Sequence, residues 1–333
     1  MILHPGVLAL LLASAIVSVM ALFAAFVGLS ISRHWDITSS SELQLTLEKK
    51  TYLVATIINT ALIIEVLSLF LFVFTADDIH KLFVGAMCAT GSLNAEPTGW
   101  YVLYAKILTF VVSSAWLFIN HIDQRCENYP LVKFKYKLLL LIAPLILFDF
   151  ILTLNYFSAL KPQMVTTCCS SLFSAEEKTV ASALAALPVK QMMYVFYIST
   201  CIMLVSLIIS LRTKSAVFKY LLFAFSIPYL LISLASVISF ISIYYYELPT
   251  HHCPFDLLQG QYNYVGYPLY AGLFGTVAFA MGTGIAEFFK RLPGTTAVVE
   301  NAQKKWAALS IIFLIVFAVL SVWPVVFTSF TPF

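Results

Sequence analysis

The stretch GVLALLLASAIVSVMALFAAFVGLSI, residues 6–31, contains no charged residue and is almost entirely apolar. About 20 residues of this kind in an α-helix cross the hydrocarbon core of a bilayer. The run is longer than the apolar core of a signal peptide, and no Lys or Arg precedes it. We therefore expect a transmembrane helix that is retained in the mature protein.

The composition of the whole chain points to the same class of protein. Of its 333 residues, 61% are hydrophobic and only 11% are charged, whereas a soluble domain has about 25% charged residues. We predict an all-α integral membrane protein: one transmembrane domain over residues 1–333, formed by a bundle of about eight helices in the lipid bilayer. The predicted spans are 6–32, 51–75, 100–120, 137–159, 192–211, 217–246, 264–289 and 305–328. No basic run suggests a nucleic-acid partner.

The distribution of Lys and Arg predicts the orientation of this bundle. Most of the 19 basic residues lie in or beside alternate loops: Arg33, Lys49, Lys50; Arg125, Lys133, Lys135, Lys137; Arg212, Lys214, Lys219; Lys290, Arg291, Lys304 and Lys305. Basic loops remain in the cytoplasm, so the N- and C-termini are both expected on the outward, periplasmic side. The compact loops favour the inner (cytoplasmic) membrane of a bacterium.

The three outward loops, 76–99, 160–191 and 247–263, contain most of the residues with reactive or metal-binding side chains. They hold Cys88, Cys168, Cys169, Cys253, His80, His251 and His252. Within these loops, 79–90 is expected to form a short helix that lies in the membrane interface or re-enters the membrane, broken at Gly85 and Gly91. Residues 179–187 are expected to form a second short helix at the surface.

The densest group of such residues is HHCPFD, residues 251–256. Pro254 favours extended backbone at Cys253, which would direct the side chains of His251 and Cys253 to the same side of the chain. Imidazole and thiolate are ligands for copper or zinc. The candidate metal ligands are His251, His252, Cys253, Cys168 and Cys169.

Two other interpretations of the outward cysteines remain open. In an oxidising compartment they can form structural disulfides that join the loops, with Cys168 and Cys169 each bonded to Cys88 or Cys253. Alternatively, the four thiols are catalytic and exchange electrons with a quinone. Outward thiols on an apolar helical bundle are similar to the arrangement in the DsbB and vitamin K epoxide reductase families, although this sequence has no C-x-x-C.

Three ionisable residues, Glu65, Lys106 and Asp149, lie near the middle of predicted spans. Charged groups in a bilayer are costly unless they are paired or face water. With a rise of about 1.5 Å per residue, Glu65 and Lys106 come to a similar depth. They are expected to pair, with Asp149 hydrogen-bonded or protonated; a proton or ion path, or a pocket for a quinone, is the functional alternative.

Several classes of protein are excluded or disfavoured by missing motifs. All six histidines lie in loops or at span ends, which argues against a transmembrane b-type haem. There is no P-loop, G-x-S-x-G or H-E-x-x-H motif, and whether the chain is an enzyme stays open. We expect a transport or metal-handling subunit with an outward Cys/His cluster, assembled with other membrane or periplasmic subunits. The alternatives are a quinone-linked thiol–disulfide oxidoreductase and a non-catalytic subunit with disulfide-stapled loops.

Overall fold

The computed structural model describes residues 1–36, 39, 41–166 and 180–331, and these residues are predominantly helical. The helices are α1 (Pro5–His34), α2 (Glu42–Asp78), α3 (Ala89–Asn94), α4 (Gly99–Asp123), α5 (Val132–Ala159), α6 (Val180–Ala185), α7 (Val189–Arg212), α8 (Ala216–Ser236), α9 (Ser242–Tyr246), α10 (Gly266–Phe289) and α11 (Thr296–Phe327). Short 3₁₀ turns occur at Ile79–Leu82, Asp256–Leu258 and Gly260–Tyr262.

Within the described residues, eight helical segments are long and apolar enough to cross a membrane. This confirms the predicted all-helical class and the number of spans, while the sidedness of the loops stays a prediction. The largest differences are at the starts of α2 and α11, which begin at Glu42 and Thr296 rather than at 51 and 305. The added residues, 42–50 and 296–304, contain charged and amide side chains that interrupt the apolar pattern, so an apolar run does not show where these helices start.

The sixth predicted span, 217–246, corresponds to Ala216–Tyr246 in the structure and changes its helix type along the way. A π-helical turn at Val237–Ile241 separates α8 from α9. Such a turn inserts one extra residue into the helical hydrogen-bond ladder. The span therefore remains helical as far as Tyr246, but the side chains after Ser236 face different directions from those that a regular α-helix would give them.

The chain forms two compact units. Unit 1 comprises Met1–Thr75, Glu96–Lys161 and Phe288–Ala302. In its core, Gly28 of α1 allows the ring of Tyr136 on α5 to approach closely: a Cβ atom at Gly28 would lie 2.7 Å from Cδ1 of that ring. On the facing helix α4, the indole of Trp116 donates a hydrogen bond to the carbonyl of Lys135 at 2.9 Å. The single transmembrane domain expected from the sequence stays a prediction.

Unit 2 comprises Ala76–Ala95, Pro162–Glu287 and the segment from Gln303 onward. The ring of Phe196 on α7 packs edge-on against Phe240 and Phe317, with centroids 5.6 Å and 5.7 Å away. A Cβ atom added at Gly275 of α10 would lie 2.6 Å from the ring of Phe313 on α11. This unit is therefore held by aromatic packing against helices that present small residues.

The predicted interfacial helices are only partly present. The predicted break at Gly91 is absent, because Gly91 lies within α3. The predicted break at Gly85 is present: the chain leaves helical geometry after Leu82, and Gly85 has a positive φ of 87°. Only glycine adopts that conformation readily. The helix expected at 179–187 corresponds to α6, and the residues before it, 167–179, lie outside the described part of the chain.

Candidate functional site

Two of the loops that were predicted to face outward are joined by backbone hydrogen bonds in unit 2. The amide of Gln163 donates to the carbonyl of Leu82 at 2.9 Å, and the amide of Thr166 donates to that of Val84 at 3.0 Å. Val84 and Val165 form a parallel bridge. The segment that leads to Cys168 and Cys169 is therefore attached beside the loop that carries Cys88; both of those cysteines lie outside the described residues.

The third of these loops brings Cys253 against Cys88. Their Sγ atoms are 3.3 Å apart, and both residues are fully buried. A disulfide bond is about 2.05 Å long, so the two sulfurs are in contact without being bonded to each other. The hydroxyl of Thr90 lies 3.4 Å from the sulfur of Cys253. Two cysteines that are 165 positions apart in the chain thus share one buried site.

A carboxylate completes this group, which we call the cysteine site: Cys88, Cys253 and Asp256. One oxygen of Asp256 and the two sulfurs all lie within 4.8 Å of one another. The Oδ2 atom of Asp256 is 2.5 Å from Nε2 of His251. Its Oδ1 atom is buried and has no hydrogen-bond partner among the described residues. Two thiols and a carboxylate, oriented by an imidazole, form a set of donors that suits a soft or borderline metal ion.

Tyrosines hold the backbone of this loop. The hydroxyl of Tyr246 donates to the carbonyl of Cys253 at 2.6 Å, and the hydroxyl of Tyr270 donates to that of Pro254 at 2.7 Å. The ring of Tyr246 also packs edge-on against His251, with centroids 4.7 Å apart. Burial raises the pKa of the nearby Tyr262 hydroxyl, with Asp256 and Cys253 adding to the effect. Tyr262 therefore remains a neutral phenol at physiological pH.

The three histidines of the loops predicted to face outward have different partners; of these, His251 and His252 were predicted as metal ligands. His251 contacts the carboxylate of Asp256, whereas His252 points its Nδ1 atom at the carbonyl of Ile238, 2.9 Å away. His80 contacts the backbone carbonyl of Asp77 through its own Nδ1 atom. Of the predicted metal set, the described residues bring only His251 and Cys253 to the cysteine site.

Asp256 as a candidate ligand and the contact between Cys88 and Cys253 were not predicted. The usable signal was density: Asp256 follows His251, His252 and Cys253 within six residues. Cys253 itself precedes the 3₁₀ turn that begins at Asp256. The remaining described cysteines lie elsewhere. Cys201 is exposed on α7, and burial, with Asp123 adding to it, raises the pKa of the Cys126 thiol and lowers its reactivity.

In unit 1, the three predicted intramembrane residues meet in one place, which we call the carboxyl pair site: Glu65, Lys106 and Asp149. The ammonium of Lys106 donates to Oδ2 of Asp149 at 2.6 Å and to the hydroxyl of Ser68 at 3.1 Å. The nearest oxygen of Glu65 is 3.6 Å from the same nitrogen. The expected Glu65–Lys106 pair is therefore present as an ion pair, but the short hydrogen bond goes to Asp149.

Two further buried ion pairs were not expected from the sequence. Lys135 lies 2.7 Å from Asp123 in unit 1, and Lys219 lies 3.2 Å from Glu287 in unit 2. A side-chain amide is hydrogen-bonded to each ion pair: Asn120 accepts a hydrogen bond from Lys135, and Gln303 donates one to Glu287. These lysines lie near helix ends beside other basic residues, where a charged side chain normally faces water.

The cysteine site brings two thiols together with a carboxyl group, and the carboxyl pair site brings two carboxyl groups together around one ammonium. Comparison with known proteins offers no independent indication of their role: no protein family, characterised protein or solved structure matches the chain.

Proposed function

We propose that the chain is a membrane-embedded metal-handling subunit that binds one copper or zinc ion at Cys88, Cys253 and Asp256. The observation that supports this is the convergence of two buried sulfurs and a carboxylate oxygen within 4.8 Å. Following the distribution of basic residues, we place the site on the outward side of a bacterial inner membrane, where it would receive the ion for transport or for a partner subunit.

The geometry needs little adjustment to hold such an ion. Two thiolates bonded to zinc at about 2.3 Å in a tetrahedral arrangement lie less than about 4 Å apart, and the sulfurs of Cys88 and Cys253 are 3.3 Å apart. The imidazole of His251 touches the carboxylate of Asp256, as outer partners of metal ligands commonly do. Both thiols must lose a proton on binding, so affinity should rise with pH.

Metal titration of the purified, reduced chain in detergent under anaerobic conditions tests this proposal. Co²⁺ is a useful probe, because thiolate ligands give it an intense charge-transfer absorption. We expect about one equivalent in the wild type and in the control Cys201→Ser, and loss of the absorption in Cys88→Ser and Cys253→Ser. A reduced wild type that retains neither Co²⁺, Zn²⁺ nor Cu⁺ would overturn the proposal.

The contact between the sulfurs favours a second candidate, a quinone-linked thiol–disulfide oxidoreductase. The thiols of Cys88 and Cys253 would form one S–S bond, and their two protons and two electrons would reduce a quinone to the quinol. The 3.3 Å separation means that the sulfurs need to approach by only about 1.3 Å to reach bonding distance.

A short-chain quinone added to the reduced protein separates these candidates. Loss of two thiols per quinol formed, abolished in Cys88→Ser and retained in Cys201→Ser, supports the oxidoreductase. The third candidate is a structural subunit whose loops are joined by disulfide bonds. It is supported if the cysteines form a disulfide that resists mild reductants and the protein neither binds metal nor reacts with quinone.

A further inference from the structure

The carboxyl pair site differs from the other buried ion pairs in its charge. Lys135 with Asp123, and Lys219 with Glu287, each balance one ammonium against one carboxylate. The carboxyl pair site has two carboxyl groups for one ammonium, and all three side chains are at most 1% exposed. If all three groups were ionised, this site would carry a net negative charge inside an apolar helical bundle, which is strongly unfavourable.

The surroundings provide no second positive charge. The charged groups that act on the carboxyl of Asp149 are Lys106 and Glu65. Glu65 lies on α2 with Ser68, Lys106 on α4 and Asp149 on α5, and Ser68 offers only a neutral hydroxyl to Lys106. Among the described residues, no other Lys, Arg or His forms an ion pair with either carboxyl group.

Polar atoms at this site are also left without partners. Both carboxyl oxygens of Glu65 and the Oδ1 atom of Asp149 are buried and form no hydrogen bond with the described residues. A buried carboxylate normally accepts several hydrogen bonds. Glu65 therefore lies 3.6 Å from an ammonium that forms its short hydrogen bond with Asp149, and it lacks the hydrogen bonds that would stabilise its ionised form.

We propose that Glu65, Lys106 and Asp149 form a proton-binding site within the helices of unit 1, in which the two carboxyl groups together hold one exchangeable proton. The proton comes from solvent and converts one carboxylate to a carboxylic acid, so the site becomes neutral overall with Lys106 charged. Ionisable groups placed in this way within membrane helices serve proton relays and proton-coupled transport. The proposal is independent of any metal at the cysteine site.

Infrared difference spectroscopy of the full chain, recorded as pH is changed, tests this proposal. A protonated carboxyl group in an apolar environment gives a separate C=O stretching band that shifts in D₂O. We expect a band that appears as pH falls, is lost or shifted in Glu65→Gln and in Asp149→Asn, and is retained in Glu287→Gln, a carboxyl of a balanced pair. Circular dichroism of each variant verifies that it is folded.

The wild type alone can overturn the proposal, whether or not the variants fold. A folded wild type without a titrating carboxyl band, or a band unchanged in both Glu65→Gln and Asp149→Asn, overturns the proposal. A site that is instead occupied by a cation would show no such band, together with stabilisation of the wild type, but not of Glu65→Gln, by Na⁺; that result also overturns it.

Discussion

The cysteine site and the carboxyl pair site are built on different kinds of backbone. Glu65, Lys106 and Asp149 project from three long regular helices. Cys88, Cys253 and Asp256 lie on loops and short turns, and tyrosine side chains donate hydrogen bonds to the backbone at Cys253 and Pro254. A helix sets the depth of a side chain through its constant rise, whereas a loop sets it through contacts with distant parts of the chain. We therefore expect the stability of the carboxyl pair site to depend most on charge. Metal binding at the cysteine site should depend most on its ligands and on the backbone of its loops.

The largest loss of unfolding free energy is expected from Lys106→Met, which removes the cation of the carboxyl pair site. Removing one partner of a buried ion pair costs about 3–5 kcal/mol, and protonation of the carboxyl that remains ionised offsets part of this. Unfolding in detergent measures the change, with the exposed Lys133→Met as the control. Equal stability of the two variants would mean that Lys106 contributes nothing to this site.

The cysteine site should be sensitive to the loss of its carboxylate. Asp256→Asn keeps the shape of the side chain but removes the negative ligand, and we expect metal affinity to fall by about 100-fold. His251→Gln alters only the hydrogen-bond partner of that carboxylate. Changes of this kind lower metal affinity by about 10–100-fold, and we expect a loss near the lower end of that range. Competition with a chelator measures both, and a larger loss in His251→Gln would make His251 the direct ligand.

The backbone of the loop that carries Cys88 provides a third comparison. Gly85 has a φ of 87°, and a Cβ atom added there would lie 2.7 Å from the carbonyl oxygen of Thr166. Gly85→Ala should therefore destabilise this loop by about 1–2 kcal/mol and weaken metal binding without removing a ligand. Hydrogen exchange of residues 82–91 measures the local effect; unchanged exchange would show that the backbone tolerates a side chain here.

The smallest change in unfolding free energy is expected from Glu65→Gln. The proposed site already holds a proton on its carboxyl pair, so a neutral amide of the same shape should change the unfolding free energy by less than about 1 kcal/mol. Asp123→Asn, in a balanced pair, leaves Lys135 buried without its carboxylate and should cost about 3 kcal/mol. Similar losses in the two variants would contradict the difference in charge that we infer.

Much of the helical architecture was predictable because hydropathy is a local property. Each span was located from its own apolar residues, and the structure confirms eight segments that could cross a membrane. The meeting of Glu65 and Lys106 was also predictable, because a regular helix converts residue number directly into depth. The choice of Asp149 over Glu65 as the close partner of Lys106 was not, since it depends on the rotation of three helices about their axes.

Local sequence was enough to predict the class of the protein, most of its long helices and the loops in which its reactive side chains lie. It was not enough to predict which of those side chains touch: Cys88 with Cys253, Asp256 with His251, and Lys135 and Lys219 with carboxylates rather than water. Helix formation in an apolar medium follows from each residue and its near neighbours. Contacts between loops, by contrast, depend on how segments far apart in the chain pack together.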